Sequence, residues 1–94
     1  MNKVIFKYQI QPTTPILLHL PKNAEILFVE TQQETMCIWC LVNKNARLEP
    51  RWFHLYGTGE PIQQDTLTRK ETYIGTFKLK NDTLILHLFE SVPI

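Results

Sequence analysis

The chain has 94 residues, of which 44% are hydrophobic and 20% charged, and its formal net charge is +1. This size and composition are typical of one small globular domain, and they exclude a disordered chain or a pair of domains. Ten Lys and Arg residues against nine Asp and Glu residues leave no basic excess, so we expect no general nucleic-acid binding.

The first half of the chain predicts four strands. Apolar residues at alternating positions predict a strand over residues 3–10, and prolines 12 and 15 then interrupt the pattern. Residues 16–20, 25–31 and 35–42 predict the next three strands, because each is a short apolar run bounded by turn-forming or polar residues. The segment 35–42 is apolar on both faces, so we expect it to be a central strand. A polar loop is predicted over residues 43–50.

The second half predicts three more strands and one long loop. In chain order we predict a strand over 51–56, a turn at 57–59, a loop with a short helical turn over 60–71, a strand over 72–79, a hairpin turn at 80–82 and a strand over 83–90. No window shows the period of an amphipathic helix. The predicted fold is therefore all-β: residues 1–94 form one small antiparallel sandwich or partly open barrel of six to seven short strands.

The segment Gly57-Thr58-Gly59 would serve either as a phosphate cradle or as a plain turn. It lacks the lysine of a P-loop and the third glycine of a dinucleotide fingerprint. Glu60 follows, where its charge would repel an anion, and Pro61 has no N–H to donate. We therefore predict a plain turn, for which Gly57 and Gly59 are suited because glycine can take positive φ angles.

Two cysteines and three histidines are the side chains that a metal site or redox centre would use. Cys37 and Cys40 are three residues apart in a predicted strand, so their side chains should point to opposite faces and share neither a metal nor a disulfide. We predict two buried thiols. His19, His54 and His87 lie in separate predicted strands; we predict partly buried strand residues and no metal, the alternative being a three-histidine zinc site.

Aromatic residues give the strongest indication of a binding surface. Trp52, His54 and Tyr56 share one face of a predicted strand, and Arg51 and Phe53 occupy the other. Such a face can stack a base, as in single-strand-binding barrels, although large aromatic residues also form the cores of small domains. The predicted ligand-binding residues are Arg51, Trp52, His54, Tyr56, Thr58, Arg69, Lys70 and Tyr73, with the three cations assigned to phosphate.

The sequence shows neither a catalytic set nor a membrane segment. It has no G-x-S-x-G elbow, no H-E-x-x-H motif and no close acidic pair on one strand face. No stretch approaches the ~18 apolar residues of a membrane span, and residues 1–10 contain no apolar run of the signal-peptide type. We expect a cytoplasmic protein without enzymatic activity, cofactor or membrane partner.

Several segments together resemble a family of small all-β proteins of phages and of bacterial genomes that carry prophages. These segments are Val4–Tyr8, Leu20–Leu27, Cys37–Val42, Tyr56–Ile62, Tyr73–Phe77 and Leu86–Glu90. The resemblance extends over nearly the whole chain and carries no catalytic residue onto it. It implies a phage product that acts in the cytoplasm of a bacterial host.

The phage context implies a class of function, because small phage proteins outside the virion often interfere with host defence. Some sequester nucleotide-derived immune signals in pockets, often at oligomer interfaces. We therefore predict a non-enzymatic, homo-oligomeric protein that binds a nucleotide-like ligand, such as a cyclic dinucleotide or an ADP-ribose derivative. The alternatives are a protein–protein interaction module, which inhibits a host defence protein or serves as a small structural component, and a small hydrolase that depends on His54 or His87.

Overall fold

Strands make up all the regular structure of the computed structural model, which describes residues 2–63 and 65–94. They are β1 (Lys3–Ile10), β2 (Ile16–Pro21), β3 (Glu25–Gln32), β4 (Thr35–Asn43), β5 (Leu48–Gly57), β6 (Arg69–Leu79) and β7 (Leu84–Pro93). The described residues contain no helix, so the short helical turn predicted within residues 60–71 is not found in the described part of that segment; residue 64 lies outside it. No helix in the described chain is long and apolar enough to cross a membrane.

The strands form two sheets, and every neighbouring pair is antiparallel. The first sheet has the order β1-β4-β3, and the second has the order β2-β5-β7-β6. Neither sheet closes on itself, and their apolar faces enclose one core between them. The predicted all-β fold is confirmed, in the form of a sandwich of two sheets.

The core is built from alternate residues of the central strands. In β4, the inward-facing side chains are at most 2% exposed: Met36, Ile38, Cys40 and Val42. The opposite sheet contributes Phe53 of β5 and Phe77 of β6, and both are fully buried. Full burial of such a side chain contributes about 1.5–3 kcal/mol. Because β4 has a neighbour on each side and also carries apolar residues on its outer face, its prediction as a central strand is confirmed.

Three strand boundaries differ from the prediction by three residues, and in each case pairing extends a strand into polar or proline-containing sequence. β5 begins at Leu48 and includes Pro50, which lies opposite His19 in a stretch where β5 pairs with β2 alone. A proline is tolerated there because only one side of the strand needs ladder hydrogen bonds. β6 begins at Arg69, since residues 69–71 pair with the last residues of β7, which continues to Pro93.

Two tight turns close the local hairpins and contact each other. Gln33 and Glu34, between β3 and β4, have φ angles of 50° and 61°, the pair of positive values that a two-residue hairpin turn of type I′ requires. Lys80, Asn81 and Asp82 form the predicted β6–β7 turn, also with positive φ angles. The amide of Lys80 donates to Glu34 Oε1 at 2.7 Å, so the tips of hairpins from both sheets are joined.

The two sheets approach most closely where β6 passes β3. A bulge in β6 between Tyr73 and Gly75 shifts the register against β7, and Gly75 is buried against Val29. A Cβ atom at position 75 would overlap Val29 Cγ2. Glycine at this position is therefore required by the close approach of the sheets.

Candidate functional site

A continuous band of aromatic and polar side chains covers the outer face of the four-stranded sheet. We call it the aromatic face; its members are Trp52, His54 and Tyr56 of β5, Glu71, Tyr73 and Thr76 of β6, and His87 and Phe89 of β7. Strand register places these residues side by side, with His54 opposite Phe89 and Phe89 opposite Tyr73. The prediction that Trp52, His54 and Tyr56 share one face is confirmed, because the intervening residues Phe53 and Leu55 are buried in the core.

A polar network centred on Glu71 joins β5, β6 and the loop before β6. His54 Nδ1 lies 2.7 Å from Glu71 Oε1, and the side chains of these residues are 20% and 6% exposed. The Tyr56 hydroxyl donates to the same carboxylate oxygen at 3.2 Å and accepts from the Gln63 amide at 3.2 Å. Glu71 is thus a well-buried carboxylate that two side chains hold in one position.

This network fixes the orientation of the His54 ring. With Nδ1 directed at Glu71, Nε2 points away from the carboxylate, and it has no hydrogen-bond partner in the described part of the chain. A neutral imidazole held in this way offers Nε2 as an acceptor, and an imidazolium offers it as a donor. The network also acts on Tyr56, because burial, and to a smaller extent the charge of Glu71, raises the pKa of its hydroxyl.

Aromatic rings pack against one another along the aromatic face, and the rings of Trp52 and Tyr73 remain exposed. Phe89 lies between Tyr56 and Tyr73, and its ring centroid is 5.5 Å from that of each. Its ring plane is nearly perpendicular to that of Tyr56 and steeply inclined to that of Tyr73. Edge-to-face pairs of this kind stabilise ring positions beyond simple burial. Trp52 is 40% exposed and Tyr73 is 55% exposed, so both offer ring surface to a ligand.

His87 organises a second polar cluster on the aromatic face. Its Nε2 lies 2.8 Å from Thr58 Oγ1, and its Nδ1 lies 3.0 Å from Thr76 Oγ1. Thr76 also contacts the hydroxyl of Tyr73. Both ring nitrogens of His87 are therefore engaged within the protein, in contrast to those of His54.

The Gly57-Thr58-Gly59 segment is a turn, as predicted. The amide of Glu60 donates to the carbonyl of Gly57 at 3.1 Å, and Gly59 has a φ of 88°, whereas the φ of Gly57 is not positive. The amide of Gly57 donates to Glu60 Oε1 at 2.8 Å. A carboxylate of the chain itself thus occupies a donor that a phosphate cradle would need, and this favours the turn over the cradle.

An open groove of about 470 Å³ adjoins the network on the side of the long loop. His54, Tyr56, Glu60 and Ile62 line it, together with Thr14 and Pro15 from the connection between β1 and β2. The groove brings a partly apolar surface next to the oriented His54 ring. The aromatic face and this groove together form the candidate site.

A family comparison agrees with the extent of this single domain. Residues 1–93 match the family model described as Domain of unknown function (DUF7352). The chain belongs to this family. No curated protein and no solved structure matches it.

In this DUF7352 chain, Arg51 lies apart from the other predicted ligand-binding residues. It projects from the inner side of β5 and forms an ion pair with Glu90, with Nε 2.6 Å from Oε2. Arg51 lines a different groove, of about 670 Å³, together with Glu25, Glu49 and Glu90. Those carboxylates oppose an anion at this position, so we leave Arg51 out of the candidate site.

The other two predicted cations lie at the start of β6 rather than in a loop. The guanidinium of Arg69 donates to the Ser91 hydroxyl at 2.9 Å and to the Ser91 carbonyl at 2.6 Å. Lys70 is exposed, and it neighbours Glu71 in sequence but alternates with it in direction along the strand. Arg69 is therefore held beside the aromatic face, whereas the side chain of Lys70 is directed away from it.

Four members of the aromatic face of this DUF7352 chain were not among the predicted ligand-binding residues: Glu71, Thr76, His87 and Phe89. Glu71 was assigned to the end of a loop, and its partnership with His54 spans 17 residues. Phe89 alternates with Leu88 and Glu90, and no pattern in the sequence tells which face of β7 is outside. Glu71 and Phe89 could have been assigned to the site only if the register of β5, β7 and β6 had been known.

The cysteines contribute to the core rather than to the site. Cys37 and Cys40 are buried and free, as predicted. Burial raises the pKa of the Cys40 thiol to about 11, with Arg51 opposing the rise and Glu90 adding to it. Within the described residues there is no group of three or more His, Cys, Asp or Glu side chains that could hold a metal ion.

Proposed function

We propose that this protein binds a nucleotide-like small molecule on the aromatic face without transforming it. The observation that carries the proposal is the combination, on one rigid sheet, of two exposed aromatic rings with a histidine whose orientation a buried carboxylate fixes. Base stacking on aromatic side chains contributes about 1–3 kcal/mol per base, and oriented polar groups then give specificity.

The spacing of the exposed rings supports a ligand with two ring systems. Trp52 and Tyr73 lie on the strands that flank β7, and their partners in β7, Ser91 and Phe89, are two residues apart. Standard strand spacings put their Cα atoms about 12 Å from each other. A dinucleotide that lies across β7 could place one base on each ring, with its linking phosphates near the edge that Arg69 occupies.

The polar groups of the face match the edges of a base or sugar. His54 lines the groove, and its Nε2 has no partner among the described residues, while Thr58 and Thr76 bring hydroxyl groups to the same face of the sheet through His87. In the phage context that the sequence resemblance implies, capture of such a ligand would remove a nucleotide-derived immune signal from the host. Binding alone is sufficient for that role.

Calorimetry with cyclic dinucleotides and ADP-ribose derivatives tests the proposal. We expect saturable binding of at least one compound, weakened roughly 5- to 150-fold by Trp52→Ala or Tyr73→Ala, the range that corresponds to loss of one stacked base. Phe6→Ala is the matched control, because Phe6 is an aromatic residue of similar exposure in β1 of the other sheet. Absence of heat with every compound, from a sample with a cooperative unfolding transition, contradicts the proposal; a host protein that co-purifies through Trp52 and Tyr73 would then identify an interaction module.

The His54–Glu71 pair favours one other candidate function, a small hydrolase. A histidine held by a carboxylate, with its second nitrogen beside a groove, has the arrangement of a general base. In that case His54→Gln would abolish turnover while leaving ligand affinity within a few fold. Chromatography of the ligand after incubation distinguishes the two candidates, since a binding protein returns its ligand intact.

A further inference from the structure

The outer face of the three-stranded sheet carries an apolar surface that none of the described residues covers. We call it the apolar face; its members are Ile5 of β1, Leu27 and Phe28 of β3, and Trp39 and Leu41 of β4. Ile5 is 59% exposed, Phe28 54% and Leu27 45%. Register places Ile5 opposite Leu41, and the rings of Phe28 and Trp39 lie 5.8 Å apart.

A bulge in β3 increases the apolar content of this surface. The register of β3 against β4 shifts between Ile26 and Phe28, so Leu27 is an extra residue in the strand. Leu27 and Phe28 are consecutive and yet both exposed, whereas regular alternation would have buried one of them. A contiguous exposed apolar patch of this kind indicates an interaction surface.

Charges of opposite sign flank the apolar face on its two edges. On the β1 edge, Lys3 and Lys7 lie on the same side as Ile5; on the β3 edge, Glu25 and Glu30 lie on the same side as Phe28. The ammonium of Lys7 donates to Gln32 at 2.9 Å across β4, and this contact confirms that it lies above the outer face. One edge is thus cationic and the other anionic, with the apolar residues between them.

We propose that the apolar face is the interface of a twofold-symmetric dimer with a second copy of this chain. A twofold axis parallel to β4, between two facing sheets, places β1 of each copy over β3 of the other. By the registers against β4, Lys3 then lies two residues along the strands from Glu25 of the second copy, and Lys7 lies two residues from Glu30, so the long lysine side chains reach these carboxylates twice over. Trp39 and Leu41 of the two copies pack along the axis. A surface that is complementary to itself under such an axis is what an isologous interface requires.

The charge distribution selects a second copy over other occupants. A membrane or nucleic acid presents negative charge throughout, and the glutamates of the β3 edge would oppose it. The size of the surface limits the affinity of the dimer. Three adjacent strands of eight residues each cover roughly 26 by 14 Å, or about 400 Å² in projection per copy. Because this is at the low end of specific interfaces, we expect a dimer that dissociates in the micromolar range.

Sedimentation velocity over a range of protein concentrations tests the dimer. We expect Lys7→Glu and Glu30→Lys each to raise the dimer dissociation constant at least tenfold, because like charges then meet across the interface. An equimolar mixture of the two variants should form a heterodimer, since Glu at 7 of one copy faces Lys at 30 of the other, and Glu30 of the first faces Lys7 of the second. Arg47→Glu, an equal charge reversal in the loop after β4, is the control and should leave the constant unchanged.

The result is separate from the ligand proposal, because the apolar face and the aromatic face lie on different sheets. A chain that stays monomeric at every concentration overturns the dimer, and so does a dimer that Lys7→Glu and Glu30→Lys leave unchanged. Failure of the two variants to associate with each other, when each alone is folded and monomeric, also contradicts the proposed symmetry. Both variants change exposed side chains, so their folding can be verified independently by circular dichroism.

Discussion

Arg51 and Glu90 form a bidentate ion pair at the margin of the core, with Nε 2.6 Å from Oε2 and Nη2 2.8 Å from Oε1. The remaining guanidinium nitrogen, Nη1, donates to the carbonyl of Ala24 at 2.6 Å. The side chains are 24% and 10% exposed, so most of the pair is removed from water. The contact links β5 and β7 of one sheet to Ala24, the residue immediately before β3 of the other.

Removal of one partner of this pair should destabilise the fold strongly. Glu90→Gln leaves Arg51 charged and poorly solvated, and we expect the free energy of unfolding to fall by about 2–4 kcal/mol, slightly less than for a fully buried pair. Urea denaturation measures the change. The double variant Arg51→Met/Glu90→Leu should cost less than the sum of Arg51→Met and Glu90→Leu; additive costs would contradict a coupled pair.

Gly75→Ala should destabilise the sandwich because the added methyl overlaps Val29. We expect a loss of about 1–3 kcal/mol, the usual cost of overpacking. Val29→Ala in the same chain should recover part of that loss, so a double-mutant cycle should show favourable coupling. Gly57→Ala is the matched control: its φ is not positive and a Cβ there has only Glu60 Oε1 at 3.7 Å, so a comparable loss at position 57 would argue against the steric explanation.

Alkaline pH should destabilise the protein in part through Cys40. Its thiol has a pKa of about 11 in the folded protein against an ordinary value of 9.0, so the unfolded chain releases this proton first as the pH rises. The thiol should therefore not affect the free energy of unfolding when the pH is below the ordinary pKa of 9.0. Between that pH and the folded-state pKa of about 11, the free energy of unfolding should fall by at most about 1.4 kcal/mol per pH unit. Denaturation of Cys40→Ala should show a shallower decline than the native chain over that window, and equal slopes would contradict the assignment.

Glu71→Gln should lower the pKa of the Tyr56 hydroxyl without returning it to the ordinary value. Burial is the larger cause of the raised pKa and remains, whereas the carboxylate charge beside the hydroxyl is removed. Ultraviolet titration of tyrosinate absorbance measures the change, and Tyr56→Phe identifies the transition that belongs to this residue. A Tyr56 transition that is the same in the native chain and in Glu71→Gln would contradict the hydrogen bond between them.

Much of the fold follows from local sequence, because the strands alternate or carry continuous apolar runs. Val4 to Ile10 shows which side of β1 faces inward, and the apolar residues of β4 on both faces indicate its central position. The start of β6 could not be predicted, since Arg69, Lys70 and Glu71 have little preference for strands. They become a strand only because Pro93, Val92 and Ser91 supply a pairing partner.

The candidate site was predictable on one strand and not beyond it. Period-2 alternation alone puts Trp52, His54 and Tyr56 together, but their neighbours depend on which strands flank β5. Glu71 and Phe89 arrive through the order β5-β7-β6, which a sequence without pairing information does not contain. The same limitation explains Arg51: its charge suggested a ligand, and only the register shows Glu90 already beside it.

The bond between Glu34 and the amide of Lys80 has a consequence for folding kinetics. The β3–β4 and β6–β7 hairpins are the pairings between consecutive strands, and the bond joins their tips. Loop closure costs the least entropy for strands that are adjacent in sequence. These two hairpins should therefore form first and pack against each other, and β1 and β2 should be added later. Val29→Ala in β3 should then slow folding, whereas Val4→Ala in β1 should mainly accelerate unfolding, as stopped-flow chevron measurements would show.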